Sequence, residues 1–237
     1  MRKISILLMA VLCVAATSCT KEKLITLSAT SVTLYHGETH KIPAQCENPI
    51  TYTSANEYHA KVSPSGLVTA QYVGSTTIRL TSEDDTKTFT VTVSPQSNLY
   101  PEPNIHIGAT RNSVISMLGT PDYTDGNSIG YTSYSGNAPI LIVLFDERNC
   151  VKSYAAVVGT THTSSLRTFL SERYVYVGMS DGTTFYRNGL TPSLATLAVA
   201  MEMYNLNYWM VAYLSYNSKV GDMEQVRSIL KSIEVHF

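Results

Sequence analysis

Apolar and β-branched residues recur at every second position through ITYTSANEYHAKVSPSGLVTAQYVGSTTIRL, the stretch from Ile50 to Leu80. Ile50, Tyr52 and Ser54 alternate with Thr51 and Thr53. Side chains two apart share one face of a sheet, so this alternation predicts half-buried strands. Ser63-Pro64-Ser65-Gly66 predicts a turn, because proline pre-sets a negative φ and glycine accepts a positive one. Val68 and Ala70 then alternate with Leu67 and Thr69; Gly74 breaks the run, and Thr76, Ile78 and Leu80 resume it. Glu83-Asp84-Asp85 predicts a polar hairpin tip, followed by a strand carrying Phe89, Val91 and Val93. Short strands separated by such turn signals predict a β-sandwich.

This pattern resembles the bacterial immunoglobulin-like domain, group 2, of invasin- and intimin-type surface proteins. The resemblance is carried by Leu27, Ser31, Val32, Leu34, Gly37-Glu38-Thr39 and Ile50-Thr51-Tyr52-Thr53-Ser54-Ala55-Asn56. It continues through Ala60, Val62, Ser63, Gly66, Val68, Ala70, Gly74, Ile78, Val91 and Val93, so that it covers about 24–95. Tyr52 stands where the family usually has tryptophan, and His59 where it usually has a β-branched residue. The resemblance implies a spacer or adhesive module with no shared active site.

Periodicity stops at Ser94-Pro95-Gln96-Ser97-Asn98 and Pro101-Glu102-Pro103, which predicts a proline-stiffened linker over 96–103. Beyond it the period changes to that of a helix. Thr110 is placed to cap a short helix with Val114, Ile115 and Leu118 on one face and Gly119 and Pro121 at its end. Strands are predicted at Ile129 to Tyr134, Pro139 to Phe145 and Val151 to Val158. A second helix, capped by Ser164, would hold Leu166, Phe169 and Leu170. Two hairpins follow: Tyr174–Gly178 with Thr183–Tyr186 across Ser180-Asp181-Gly182, and Leu194–Tyr204 with Tyr208–Tyr216 across Asn205-Leu206-Asn207. Asp222 would cap a last helix with Val226, Ile229 and Leu230 on one face, ahead of a terminal strand. The fold class expected is therefore an all-β immunoglobulin-like sandwich followed by an α+β domain over 104–237. Its halves, 104–160 and 161–237, each read as a helix-plus-antiparallel-sheet unit. A duplication is suggested by that order and not by sequence identity.

The first helix and its strands are similar to the SmpA/OmlA-type outer-membrane assembly lipoproteins and the β-lactamase-inhibitor-protein fold. Gly108, Thr110, Val114, Leu118, Gly119, Pro121, Phe145 and Asp146 carry that resemblance over about 105–158. The immunoglobulin-like region departs from that lipoprotein family, so neither an assembly partner nor an inhibitor activity is transferred.

The N-terminus gives an address. Arg2 and Lys3 precede an apolar run, Ile4 to Ala16, that is shorter than the about 20 residues a spanning helix needs. Ala16-Thr17-Ser18-Cys19 resembles the lipobox of bacterial lipoproteins, with alanine in place of the usual leucine. That resemblance implies a signal peptide over 1–18, acylation of Cys19 and a tether over 19–23. Acyl chains contribute about 0.8 kcal/mol per buried CH₂, enough to anchor stably when two are present. The expected location is the outer membrane, lipid-anchored, at the cell surface. Lys21-Glu22-Lys23 loosely matches surface-export signals of Bacteroidota.

Charge and chemistry narrow the rest. A net charge of −1 offers no electrostatic attraction for nucleic acid. The six histidines, His36, His40, His59, His106, His162 and His236, show no metal-ligand spacing. Asp122, Asp125, Gly126 and Asn127 read as turn chemistry without the EF-hand spacing. No nucleophile elbow, phosphate loop or cysteine–histidine signature occurs. No catalytic residue, cofactor or metal is therefore expected. Cys46 and Cys150 fall in different regions; a bridge between them would need Cα atoms within about 7 Å, and buried thiols are the favoured reading. Tyrosines crowd the second region: eleven of sixteen lie at or beyond Tyr123, with the single tryptophan, Trp209. Tyrosine and tryptophan are enriched at recognition surfaces but also favour strands. Leu206 has no turn-forming reason to sit between Asn205 and Asn207. Tyr204, Leu206 and Tyr208 are therefore the expected contact patch, with Trp209 mostly buried beneath it. The expected function is a lipid-anchored envelope protein whose immunoglobulin-like region presents a C-terminal domain to a protein or glycan. The alternatives are a periplasm-facing accessory lipoprotein of outer-membrane assembly and, third, a cryptic hydrolase.

Overall fold

A computed structural model describes residues 24–83 and 85–216. The expected signal segment, Cys19 with its whole tether over 19–23, and the last helix with Asp222, Val226, Ile229 and Leu230 and the terminal strand after it lie outside the described residues.

The strands of the first region are β1 Thr26–Leu27, β2 Ser31–Tyr35, β3 Thr39–Lys41, β4 Ala44–Gln45, β5 Thr51–Ser54, β6 Ala60–Val62, β7 Leu67–Ala70, β8 Gly74–Thr81 and β9 Thr86–Ser94. They make a four-stranded sheet, β2-β9-β8-β5, a three-stranded sheet, β3-β7-β6, and a small β1–β4 pair. Alternation decides the inward face. Thr76, Ile78 and Leu80 on β8, Phe89, Val91 and Val93 on β9, and Val68 and Ala70 on β7 are all buried between the sheets. Two glycines fit where no other residue would. Gly66 closes the expected turn with its amide on the Ser63 carbonyl at 2.9 Å and φ of 79°; an added Cβ would lie 2.7 Å from the Tyr52 ring. Gly74 starts β8 instead of breaking it, because the His59 ring occupies the place of its missing side chain.

The second region contains α1 Arg111–Leu118, β10 Tyr123–Asp125, β11 Ser128–Tyr131, β12 Ile140–Phe145, β13 Val151–Gly159, a 3₁₀ turn at Thr160–His162, α2 Thr163–Ser171, β14 Val175–Ser180, β15 Thr183–Arg187, a second 3₁₀ turn at Pro192–Leu194, β16 Leu197–Asn205 and β17 Tyr208–Ser215. The eight strands among the described residues form one antiparallel sheet in the order β10-β11-β12-β13-β17-β16-β15-β14. Each helix is followed by a four-strand meander, and the two meanders meet through their last strands, β13 and β17. Thr110 caps α1 by accepting from the Ser113 amide, and Gly119 ends it at φ 88° with its amide on the Ile115 carbonyl. Asp181 and Gly182, both at positive φ, turn β14 into β15, as an Asp-Gly hairpin requires. Ser164 is not the cap of α2: the preceding 3₁₀ turn runs directly into the helix, and Thr163 donates its hydroxyl to the Thr160 carbonyl. Strand β10, which the sequence pattern hides, pairs with β11 across Gly126 and Asn127.

Both helices pack on one face of this sheet. Val114, Leu166, Phe169 and Leu170 bury against Val143, Val158, Val199, Val211 and a set of tyrosines. Tyr154 stacks on Tyr213 at 4.7 Å, and Tyr100 donates to or accepts from the Tyr213 hydroxyl at 2.6 Å. The other face carries a second apolar cluster made of strand residues, among them Ile142, Phe185 and Met210.

The stretch expected as a linker differs most from its reading. Leu99 and Tyr100 are buried in the second region's core, and the Leu99 carbonyl accepts from Asn137 Nδ2 at 2.8 Å. Prolines suppress regular structure here but do not keep apolar side chains in water. The two regions are also joined directly, at the end of α2. The buried Glu172 carboxylate accepts the amides of Gln96, at 2.8 Å, and Ser97, at 3.0 Å. Its backbone carbonyl accepts the Val73 amide at 2.8 Å. Arg173 lies over the Phe169 ring at 3.8 Å and donates to Glu172 and to the Ser97 carbonyl. Tyr58 donates to the Arg173 carbonyl at 2.5 Å; burial, then Tyr72 and Glu102, push its hydroxyl pKa well up.

Candidate functional site

The β16–β17 hairpin ends in a turn at Leu206 and Asn207, and neither residue takes a positive φ. The Asn205 side chain supplies what the backbone does not: its Oδ1 accepts the amides of Asn207, at 2.9 Å, and Tyr208, at 3.1 Å. Such an asparagine-closed turn is local chemistry that Asn205 encodes. The 3₁₀ turn before α2 buttresses it from the side. The Thr160 amide donates to the Asn207 carbonyl at 2.8 Å and its hydroxyl to the Leu206 carbonyl at 3.1 Å. Trp209 is 9% exposed and donates its indole N–H to Thr163 Oγ1 at 2.7 Å, tying β17 to the start of α2.

Against this braced backbone the side chains differ sharply. Leu206 is 88% exposed. Tyr208 is exposed at the edge of the tip, and alternation places it on the face of Met210. Tyr204 is half-buried and packs against the strand-only cluster on that same face. The structure thus gathers Tyr204, Leu206 and Tyr208 at one hairpin end. Met203, opposite Trp209 and so on the helix-bearing face, is 49% exposed and adds to the apolar rim. Sequence reasoning missed Met203 because methionine in a strand carries no turn or capping signal. A leucine held out in water by a fixed turn forfeits burial worth about 1.5–3 kcal/mol. This surface can offer apolar area with tyrosine hydroxyls at its margin, a chemistry suited to recognition.

The remaining chemistry stays dispersed. Among the described residues no three metal-ligating side chains converge. His36 bonds the Gln71 carbonyl, His40 stacks on Phe89, and His59 bonds the Tyr72 carbonyl at 3.1 Å. Asp122 accepts from the Thr132 amide and hydroxyl across the β10–β11 ladder, a contact between strands and not the local turn bond expected of it. Asp146 accepts the amides of Cys150 and Arg148, which hold its carboxyl below the usual range. Cys46 and Cys150 are half-buried thiols. A cleft of about 640 Å³ opens between the regions, lined by Asn56 to His59 and by Asn188, Gly189, Leu190 and Leu194. The Asn188 amide there is engaged with Thr196 and Leu197. No described helix is long and apolar enough to cross a membrane.

Residues 21–93 match the family model of the bacterial Ig-like domain, group 2. No curated protein matches the chain. Similar solved structures include domains 5–6 of the S-layer protein SbsC, 14% identical, covering 81% of this chain and 83% of that one with a TM-score of 0.26. An EHEC O157:H7 intimin mutant is 16% identical over 68% of this chain and 75% of that one, with a TM-score of 0.24. The C-terminal domain of TagH is 12% identical over 71% and 98%, with a TM-score of 0.29. Likeness this remote carries no argument for the second region; the family match stands on the first alone. That first region is a bacterial Ig-like domain of group 2.

Proposed function

We propose that this chain is a lipid-anchored envelope protein in which the Ig-like domain supports a C-terminal α+β binding domain, built of two helix-and-meander units, at the cell surface. Its anchor is Cys19, its location the outer membrane, and its ligand a protein or glycan met by the tip bearing Tyr204, Leu206 and Tyr208. The reading is of a binding protein and not of an enzyme. One observation carries it: Leu206, 88% exposed, sits on a turn whose carbonyls and amides are tied down by Thr160 and Asn205. A pre-organised apolar anchor is what binding rewards, since little ordering entropy remains to be lost.

The test has two arms. Cys19→Ser should release the protein from membranes, and protease added to intact cells should degrade the second region. Wild-type chain from Thr20 onward should retain a ligand on a column that Leu206→Asp does not. Retention of the Cys19→Ser protein in salt-washed membranes would contradict the anchor. Full protection on intact cells would favour the periplasm-facing alternative, to which the helix-then-strands order of 105–158 lends support. Equal retention by Leu206→Asp would remove the tip from the account.

A further inference from the structure

Strand β14 is the last strand of the eight, and among the described residues its backbone pairs only with β15. Exposed edges are usually blunted by charge, proline or a bulge. Val175–Ser180, VYVGMS, has no charge and no proline, its single bulge lies at Val177, and Tyr176, Val177 and Met179 are 59%, 49% and 68% exposed. The register shift at Val177 has a local consequence. It brings Tyr176 and Met179, three apart, to the same side, where they form one wall of a groove of about 490 Å³. Tyr186 and Thr184 line its floor, and the Tyr176 ring stands edge-on to Tyr186 at 5.9 Å. The opposite wall is the outer stripe of α2, Ser164, Arg167, Thr168 and Ser171, spaced as one helix face. Thr168 and Ser171 donate their hydroxyls back to helix carbonyls, so they present lone pairs to the groove. Among the described residues Arg167 is the sole charge in the lining, is exposed, and makes no ion pair.

We propose that this groove binds an extended polypeptide segment of a partner protein as a ninth strand on β14, with a carboxylate of the segment on Arg167. Edge strands recognise peptides through main-chain hydrogen bonds and sort them by the pockets that take alternate side chains. Here Tyr176, Met179 and Tyr186 supply an apolar pocket, and the guanidinium supplies a carboxylate fork. A second copy of the chain fits less well: two β14 edges side by side would bring two Arg167 side chains over one face with no acidic residue in the lining between them. The site is separate from the hairpin tip, so its fate does not depend on Leu206.

The test uses the chain from Thr20 onward, which contains every described residue, and two probe peptides. One alternates valine and threonine with a single central glutamate; its twin has lysine there. The glutamate peptide should shift the amide resonances of Val175–Ser180 and the Arg167 side-chain signal. The lysine twin should bind about tenfold more weakly, the worth of one charge-assisted hydrogen bond. Arg167→Glu should invert that order, and Val177→Lys should weaken both, with the dispersion of the spectrum unchanged. Leu206→Asp should bind both peptides as wild type does. Failure of the glutamate peptide to bind at millimolar concentration, shifts elsewhere, or indifference to the Arg167 charge would overturn the proposal. So would a wild-type dimer in sedimentation that Val177→Lys dissolves, since the edge would then belong to a second copy.

Discussion

The core of the Ig-like domain is aliphatic: Ile42, Val68, Ile78, Leu80, Val91 and Val93 close around one phenyl ring, Phe89. The second region buries Tyr100, Tyr154, Tyr174 and Tyr213 together under its helices. An aliphatic core asks only for volume and alternation, and so it is written in the sequence at period two. A buried hydroxyl asks for a partner as well. Tyr213 finds Tyr100, Tyr174 finds the Glu102 carboxylate, and Tyr134 finds the Pro101 carbonyl. Three of these partners, Tyr100, Pro101 and Glu102, come from the proline-flanked stretch between the regions. The tyrosine layer is therefore what turns that stretch from a tether into part of the core.

The largest expected effect separates the two cores by pH. Burial is the leading cause that raises the hydroxyl pKa of Tyr100, Tyr154, Tyr174 and Tyr213, and that of Tyr134 rises to about 12 for the same reason. A group whose folded pKa lies above its unfolded value of 10.0 gives its full stabilisation below pH 10 and loses it as pH climbs toward the folded value. Alkali should therefore unfold the second region while the Ig-like core keeps its strand signal. Titration followed by tyrosinate absorbance and circular dichroism tests this; joint unfolding near pH 9 would contradict it.

Next in size is Glu172→Ala. It takes one of two carboxylates from Arg173, which keeps Glu102 at 3.3 Å, and leaves the part-buried amides of Gln96 and Ser97 without their acceptor, a loss of about 1–3 kcal/mol. Calorimetry should show one transition for the wild type and two for the variant, the later one belonging to the more stable region. Gly74→Ala should cost less but fall on the Ig-like domain first, because the new methyl meets the His59 ring at 2.2 Å. An unchanged melting temperature in that variant would mean that His59 moves aside freely. Thr110→Ala is the smallest, about 1 kcal/mol from the lost cap of α1, and should be visible only in the second region's unfolding.

The same contrast governs what could be read in advance. Alternation located β5, β7, β8 and β9, helical spacing located α1, and Asp181-Gly182 located a hairpin, since each signal is local. Strand β10 was hidden because Tyr123, Thr124 and Asp125 are all exposed and show no inward face. Glu172 and Arg173 look like solvated charges at a helix end; only the folded chain brings the Gln96 and Ser97 amides to them. The tip was legible because Leu206 is out of place in a turn. The β14 groove was not, since which strand ends a sheet is a property of pairing and not of any one strand.

If the Ig-like domain is a support, it must hold the tip at a fixed place. Spin labels at Thr33→Cys, on β2, and Lys152→Cys, on β13, with Cys46 and Cys150 replaced by serine in the chain from Thr20 onward, report the distance between the regions. The account predicts one narrow distance distribution in the wild type and a broad one in Glu172→Ala. A broad distribution already present in the wild type would mean that the Glu172 and Tyr58 contacts do not hold the regions together, and the Ig-like domain would be a loose spacer.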